Sequence, residues 1–300
     1  VGKAAVSVWQ SLALIRSFRP DVVIGTGGYV CGPVLLAAAL CRVPTVIQEQ
    51  NVIPGLTNRL LARFVDGVAV GYAEAAPYFS HPGKVIVTGN PIRGDVMTTS
   101  REEGLRRLGL DPAKSTILVS GGSRGARSIN EAMAAVHQHF AGRPDIQILH
   151  ITGQSEYNSL VDKLQLLGID LSGVGNSIIQ PYLYDMPAAL AAADLAVFRA
   201  GAVGLAELTA RGIPAVLVPY PYAAENHQEH NARVLEKSGA AVVITDAKLS
   251  GPELARIIET LIEDKAALSR MAGASLALGR PQAADAIADL AISLIRRRSG

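Results

Sequence analysis

Three stretches of this 300-residue chain place glycines or polar side chains where an apolar run ends. In VSGGSRGARSIN (119–130) the run Ile117, Leu118, Val119 feeds Gly121, Gly122 and Ser123, after which Ala126, Ile129, Met133 and Val136 recur at helical spacing. The pattern predicts a strand, a tight turn and a helix. Backbone amides at such a helix N-terminus, with no Cβ in the way, suit a phosphate. AGAVGLAEL (200–208) repeats the arrangement after DLAVF and sets Glu207 about two turns into its helix. A carboxylate there can accept both hydroxyls of a ribose; the same spacing also suits a solvated glutamate on a helix face.

The third stretch, VPYPYAAENHQEHNARVL (218–235), runs from a strand through a loop into a helix and puts His227, Gln228, His230 and Asn231 near the first turn. Neutral amides both donate and accept, which fits sugar hydroxyls. His227 and His230 stand at i and i+3 without a nearby cysteine or a third ligand for zinc. No Asp-x-Asp pair is present to offer a divalent ion to a diphosphate. The expectation is a site that needs neither metal nor cofactor. In the first half, GTGGYVCGP (25–33) is a further strand-loop-helix glycine turn, and IQEQNVIPGLTNRLLARF (47–64) sets Glu49, Gln50 and Asn51 directly after a strand. Glycine-lined loops opposed across one cleft would hold a donor on one side and an acceptor on the other.

The elements that must position these residues follow a βαβ rhythm. DVVIG, PTVIQ, DGVAV and KVIVTG alternate with helix-like segments in the first half, and TILVS, QILHI, SIIQ, DLAVF, PAVLVP and AAVVIT in the second. The class is α/β, with two Rossmann-like halves whose parallel sheets face a central cleft. Pro91 and Gly94 punctuate the chain near residues 92–98, which divides it into 1–93 and 94–280, with a last helix over 281–300 returning to the first domain. The first half shows four strands to the second's six and opens on VGKAAVSVWQSLALIRSF, already at helical spacing and without an initiator methionine, so a strand and a glycine loop are expected upstream. Arg296, Arg297 and Arg298 at the end of the last helix are ordinary partners for its C-terminal dipole.

Composition excludes some functions. At 49% hydrophobic and 18% charged residues the chain has enough apolar content for two cores. A net charge of +2 and 5% aromatics give a nucleic-acid partner neither an electrostatic footprint nor stacking platforms. Two cysteines, Cys31 and Cys41, fit free thiols in a reducing compartment. The longest uninterrupted apolar stretch, Val34 to Cys41, is far short of a membrane span. The first helix carries Val8, Trp9, Leu12, Ile15 and Phe18 with Lys3, Arg16 and Arg19 nearby, which reads either as an interfacial membrane-binding face or as a core-packed helix.

Taken in order, GTGGYVCGP, EQNVIPGLTN, GNPIR, GGSRGAR, RAGAVGLAE and HQEHNA span essentially the whole chain. They resemble the MurG family of bacterial UDP-N-acetylglucosamine:lipid I N-acetylglucosaminyltransferases. The resemblance implies the GT-B fold, with the nucleotide sugar held by the C-terminal domain and the lipid acceptor approached from the N-terminal one. It implies inverting transfer of GlcNAc to the muramyl C4 hydroxyl of lipid I to give lipid II, in peptidoglycan synthesis on which cell shape and division depend. The enzyme would be peripheral, on the cytoplasmic face of the cell membrane.

By the same resemblance Arg93 and Ser123 contact the diphosphate, Glu207 the ribose, and the backbone around Leu183 the uracil edge. Gln228 and Asn231 read the GlcNAc hydroxyls, with Asn51 reaching over from the other domain, and Gly27, Gly28 and Tyr29 lie on the acceptor side. The family's candidate base sits in an upstream glycine loop, so no catalytic base is assigned here. The chain departs from the family pattern at Arg124, usually glutamine; at Gly204, typically threonine; at Phe198, usually small and polar; and at Tyr184, often acidic. A GT-B enzyme with another nucleotide-sugar donor and a non-catalytic UDP-GlcNAc-binding remnant are the rival readings.

Overall fold

The computed structural model describes residues 2–169, 171 and 175–299, with side chains described between 6 and 297, so the side chains of Lys3 and Arg298 lie outside the described residues. The chain divides into two compact units, Val1–Pro91 with Arg280–Gly300, and Ile92–Gly279.

The first unit runs α1 (Gly2–Phe18), β1 (Val23–Gly25), α2 (Cys31–Leu40), β2 (Thr45–Glu49), α3 (Leu56–Leu61), β3 (Gly67–Val70) and β4 (Val85–Val87). Its strands pair in parallel in the order β1-β2-β3-β4. Alternation of side chains along β2 and β3 gives each strand two apolar faces. Ile47, Val68 and Val70 pack with Leu35, Leu61 and Phe79 on one side. Val46 and Ala69 point to the other.

The second unit contains α4 (Gly94–Thr98), α5 (Arg101–Leu108), β5 (Ser115–Ser120), α6 (Arg127–Phe140), β6 (Ile146–Ile151), α7 (Tyr157–Leu166), β7 (Ser177–Gln180), α8 (Met186–Ala192), β8 (Leu195–Phe198), α9 (Ala202–Arg211), β9 (Ala215–Leu217), α10 (His227–Lys237), β10 (Ala241–Val243), α11 (Gly251–Glu263) and α12 (Lys265–Leu278). All six strands are parallel, in the order β10-β9-β8-β5-β6-β7. The core lies between the sheet and α6 and α11, with Ile117, Val119, Ile148, Val197 and Val216 against Ile129, Met133, Phe140, Leu254 and Ile258. The strand order reverses between β5 and β8. Open parallel sheets bind ligands at such a switch point, beyond the carboxyl ends of the strands.

The chain then returns to the first unit as α13 (Ala283–Ser299), whose Ile287 and Ala291 cover Val46 and Ala69. Leu290 and Leu294 of this helix reach Gly67, where an added Cβ would stand 3.4 Å from their methyl groups.

Helix α1 divides its apolar residues between two uses. Ile15 is buried and Leu12 half-buried against Ala37 and Ala38 of α2, whereas Trp9 and Phe18 are 72% and 77% exposed. At roughly 100° per residue, Trp9 and Phe18 fall on opposite flanks of the stripe formed by Leu12 and Ile15. The residues are therefore divided, with Leu12 and Ile15 packed on α2 and Trp9 and Phe18 left exposed on either flank. No described helix is long and apolar enough to cross a membrane.

Candidate functional site

A cavity of about 1100 Å³ opens in the second unit at the β5/β8 switch point. Its wall is built from the segments that follow β5, β7, β8 and β9, together with Arg93 ahead of α4 and Asp246 after β10.

The β5–α6 turn owes its shape to glycine. Gly122 and Gly125 have positive φ (88° and 76°), the left-handed region that side chains disfavour. A Cβ on Gly125 would also overlap the Thr152 carbonyl, and one on Gly121 would overlap the Ala126 amide. The turn thus lies backbone against backbone on Thr152 and Gly153, which leaves Ser123 and Arg124 exposed at the cavity wall.

Ser100, Asp185, Ser250 and Asp264 accept hydrogen bonds from the first turns of α5, α8, α11 and α12. Helices α6 and α9, whose first turns line the cavity, begin on Ala126 and Gly201 and have no side-chain cap, as is also true of α2, α3, α4, α7 and α10. Their first amides are left for an anion, and the helix dipoles favour negative charge there.

Arg93, Ser123, Leu183, Glu207 and Gln228 all line this cavity. The Glu207 carboxylate stands 3.9 Å from Arg93 Nε, with 12% of its side chain exposed. Burial pushes the Glu207 carboxyl above its ordinary range, Arg93 opposes that shift, and Asp95 adds to it. Leu183 lies between Tyr182 and Tyr184, whose rings meet edge to face with centroids 4.8 Å apart. Gln228 Oε1 accepts the Tyr220 amide at 2.9 Å. Because a backbone N–H can only donate, this bond uses the carbonyl end of the Gln228 amide.

Asn231 occupies a different place. It is fully buried beneath the wall, with Nδ2 3.5 Å from the Ala200 carbonyl that precedes the α9 turn. Gly27, Gly28, Tyr29 and Asn51 belong to the first unit. Gly27 and Gly28 have φ of 98° and 77° and form the turn into α2, and Tyr29 beside them is exposed. Asn51 is set by the buried Glu49 carboxylate, which accepts from its amide (2.9 Å), from Gly55 N (3.1 Å) and from Asn58 Nδ2 (2.7 Å). Among the described residues no cluster of three His, Cys, Asp or Glu side chains is placed to hold a metal ion.

Sequence reasoning missed Arg199, Asp246 and the Tyr220–Tyr222 pair, all of which line the cavity. Arg199 carried one usable signal. A lone arginine directly after the apolar run DLAVF must be buried and paired.

Comparison with known proteins agrees with this layout. Residues 1–70 match the glycosyltransferase family 28 N-terminal domain, and residues 116–289 match its C-terminal domain. A protein of Halothermothrix orenii named UDP-N-acetylglucosamine–N-acetylmuramyl-(pentapeptide) pyrophosphoryl-undecaprenol N-acetylglucosamine transferase is 53% identical over 94% of this chain and 76% of its own length. A Listeria monocytogenes protein of the same name is 46% identical over 96% of this chain and 77% of its own. Among solved structures, Acinetobacter baumannii MurG shares 29% identity and a TM-score of 0.78 over 97% of this chain and 80% of that one. A UDP-GlcNAc 2-epimerase from Neisseria meningitidis, 14% identical with a TM-score of 0.69 over 97% of this chain and 81% of that one, shares the fold alone. The two parallel-sheet units are those of the GT-B fold. With both family domains matched in order and half of its residues shared with such relatives, the chain belongs to glycosyltransferase family 28 and to its MurG branch.

Proposed function

We infer that the protein transfers N-acetylglucosamine from UDP-GlcNAc to the muramyl C4 hydroxyl of undecaprenyl-linked lipid I, forming lipid II in peptidoglycan synthesis. The observation that carries this reading is one cavity onto which the first turns of α6 and α9 open beside Arg93, Ser123 and Glu207, in a chain 53% identical to a transferase of that name. The diphosphate lies at the first turns of α6 and α9, with Ser123, Arg93 and Arg124 beside it. Glu207 takes the ribose hydroxyls, the backbone at Leu183 takes the uracil edge, and Gln228 reads the sugar.

As the acceptor C4 hydroxyl oxygen bonds to the anomeric carbon and yields its proton to a general base outside the residues assigned here, the bond to the β-phosphate oxygen breaks, and UDP leaves with its added negative charge. Preorganised amides and arginines stabilise charge that develops there more than charge in the ground state. Direct displacement from the opposite face inverts the anomeric centre. On the strength of the family motifs Asn51 is assigned to the donor sugar and Gly27, Gly28 and Tyr29 to the acceptor side, and Asn231 supports the α9 turn from beneath.

Lipid I is embedded in a bilayer, so the enzyme meets it as a peripheral protein at the cytoplasmic face. Exposed Trp9 and Phe18, with Arg16 and Arg19 nearby, support α1 as part of the contact.

The test is a transfer assay with UDP-GlcNAc and detergent-solubilised lipid I, read by mass spectrometry, in parallel with calorimetry against UDP-GlcNAc and UDP-GalNAc. Lipid II as product and preference for the gluco donor are expected. Saturable donor binding without any transfer would overturn the catalytic reading, and equal binding of the epimers would overturn the role of Gln228.

A further inference from the structure

We propose that Arg199 is a positioning residue that locks the diphosphate-facing turn of α6 and the sugar-facing segment 218–222 into one register. Through that segment it aims the Gln228 amide. The proposal rests on the cavity being the donor site.

Arg199 follows β8 directly, and only 11% of its side chain is exposed. Its Nη1 donates to the carbonyls of Val218 (3.1 Å) and Pro219 (3.0 Å) and to Asp246 Oδ1 (2.6 Å). Nη2 donates to Ser128 Oγ at 2.8 Å, and that hydroxyl donates onward to Asp246 Oδ1 at 2.7 Å. The guanidinium also stands 5.6 Å from the centroid of the Tyr220 ring. One planar fork therefore ties together the end of β8, the first turn of α6, the end of β9 and the turn after β10. An ammonium has three donors at one point and cannot span this set.

Two features separate this role from a direct charge on the diphosphate. The Arg199 charge is compensated by Asp246 in a nearly buried pair, and both of its Nη nitrogens donate to protein acceptors. The consequence is conformational. The carbonyls that Arg199 holds belong to the two residues before Tyr220, and the Tyr220 amide donates to Gln228 Oε1. With its oxygen engaged, Gln228 presents its NH2 group to the cavity as a donor toward a sugar oxygen. Release of the Val218 and Pro219 carbonyls frees the Gln228 amide to turn over and present an acceptor instead.

The experiment compares wild type, R199K, S128A, Q228A and the double variants R199K/Q228A and S128A/Q228A in the full chain. Readouts are thermal unfolding, KM and kcat for UDP-GlcNAc, and the calorimetric preference for UDP-GlcNAc over UDP-GalNAc. R199K and S128A are expected to stay folded, to raise the donor KM roughly tenfold or more, and to lose much of the gluco preference. In the Q228A background the same changes should add little, because contacts that act through one group are not additive. Additive effects, or an unchanged KM and epimer preference in R199K and S128A, overturn the proposal while the donor site stands. Absence of UDP-GlcNAc binding in wild type overturns the donor site and this proposal with it.

Discussion

A Cβ built on Gly204 lies 3.8 Å from Cδ1 of Phe198. The structure makes these two residues neighbours across the β8–α9 turn. The Phe198 ring is buried beside the residue that has no side chain. Because 3.8 Å is ordinary contact and Gly204 lies inside α9, alanine fits there without displacing the ring. Glycine within a helix costs about 0.5–1 kcal/mol relative to alanine. Gly204→Ala is therefore expected to raise the unfolding midpoint by about 1–4 °C by calorimetry. A lower midpoint would mean that the ring has no room to spare.

Gly125 gives the opposite sign. Its φ of 76° and the overlap a Cβ would make with the Thr152 carbonyl leave no place for a methyl group. Gly125→Ala is expected to destabilise the second unit by about 2 kcal/mol or more and to weaken UDP binding. Urea denaturation and UDP titration check the two effects, and wild-type values in both would contradict the backbone packing described for this turn.

Glu207 sets a pH dependence. Its carboxyl is raised by burial, with Arg93 pulling the other way. A group raised in the folded state contributes stability at low pH that is lost as pH rises through its folded value. The ionised carboxylate is thus held at a cost, and it is the form that accepts ribose hydroxyls. The acid limb of the UDP-GlcNAc affinity profile should lie above the ordinary glutamate range and move higher in Arg93→Ala. Glu207→Gln should abolish the limb and raise KM, while the unliganded protein becomes slightly more stable at neutral pH. An acid limb that survives in Glu207→Gln would assign it to another group.

A second pH effect acts on folding alone. His137 and His150 are fully buried and stacked, with His137 Nδ1 2.8 Å from Ser177 Oγ, His137 Nε2 3.1 Å from His150 Nδ1, and His150 Nε2 3.0 Å from Asn130 Oδ1. Burial lowers His137 to about 3 and holds His150 well below 6.5, so both are neutral in the fold at physiological pH. As pH falls below about 6.5 the unfolded chain takes up protons that the native state refuses. Each histidine then costs up to about 1.4 kcal/mol per pH unit. Unfolding free energies between pH 7.5 and 5 should fall in wild type and fall less steeply in His137→Gln.

Membrane attachment through α1 is tested at Trp9, which is 72% exposed. Trp9→Glu is expected to reduce co-sedimentation with anionic vesicles and to leave the donor KM unchanged. Unchanged co-sedimentation would remove α1 from the membrane contact.

How far the sequence could be read depended on how local each cause was. The strand VSGG turn and Glu207 in AGAVGLAEL were legible because a glycine turn and the helix it opens are adjacent in the chain. Gln228 and Asn231, three residues apart on α10, looked equivalent, yet one lines the cavity and the other lies under it. Helical spacing gives the angle around an axis but not the depth of the surface that packs against it. Arg199 and Asp246 are 47 residues apart, and only the sheet order brings β8 and the turn after β10 to one place. Trp9 and Ile15 shared an apolar label that could not say which of them α2 would cover.

The return of α13 to the first sheet also bears on how the polypeptide emerges from the ribosome. Synthesis is directional, and the segment up to Gly279 supplies every strand of the second unit while Ile287 and Ala291 remain untranslated. Until they appear, Val46 and Ala69 lack the cover that α13 provides. The first sheet thus receives its last layer only after the second unit has been made, and Val46 and Ala69 wait for α13 through that interval.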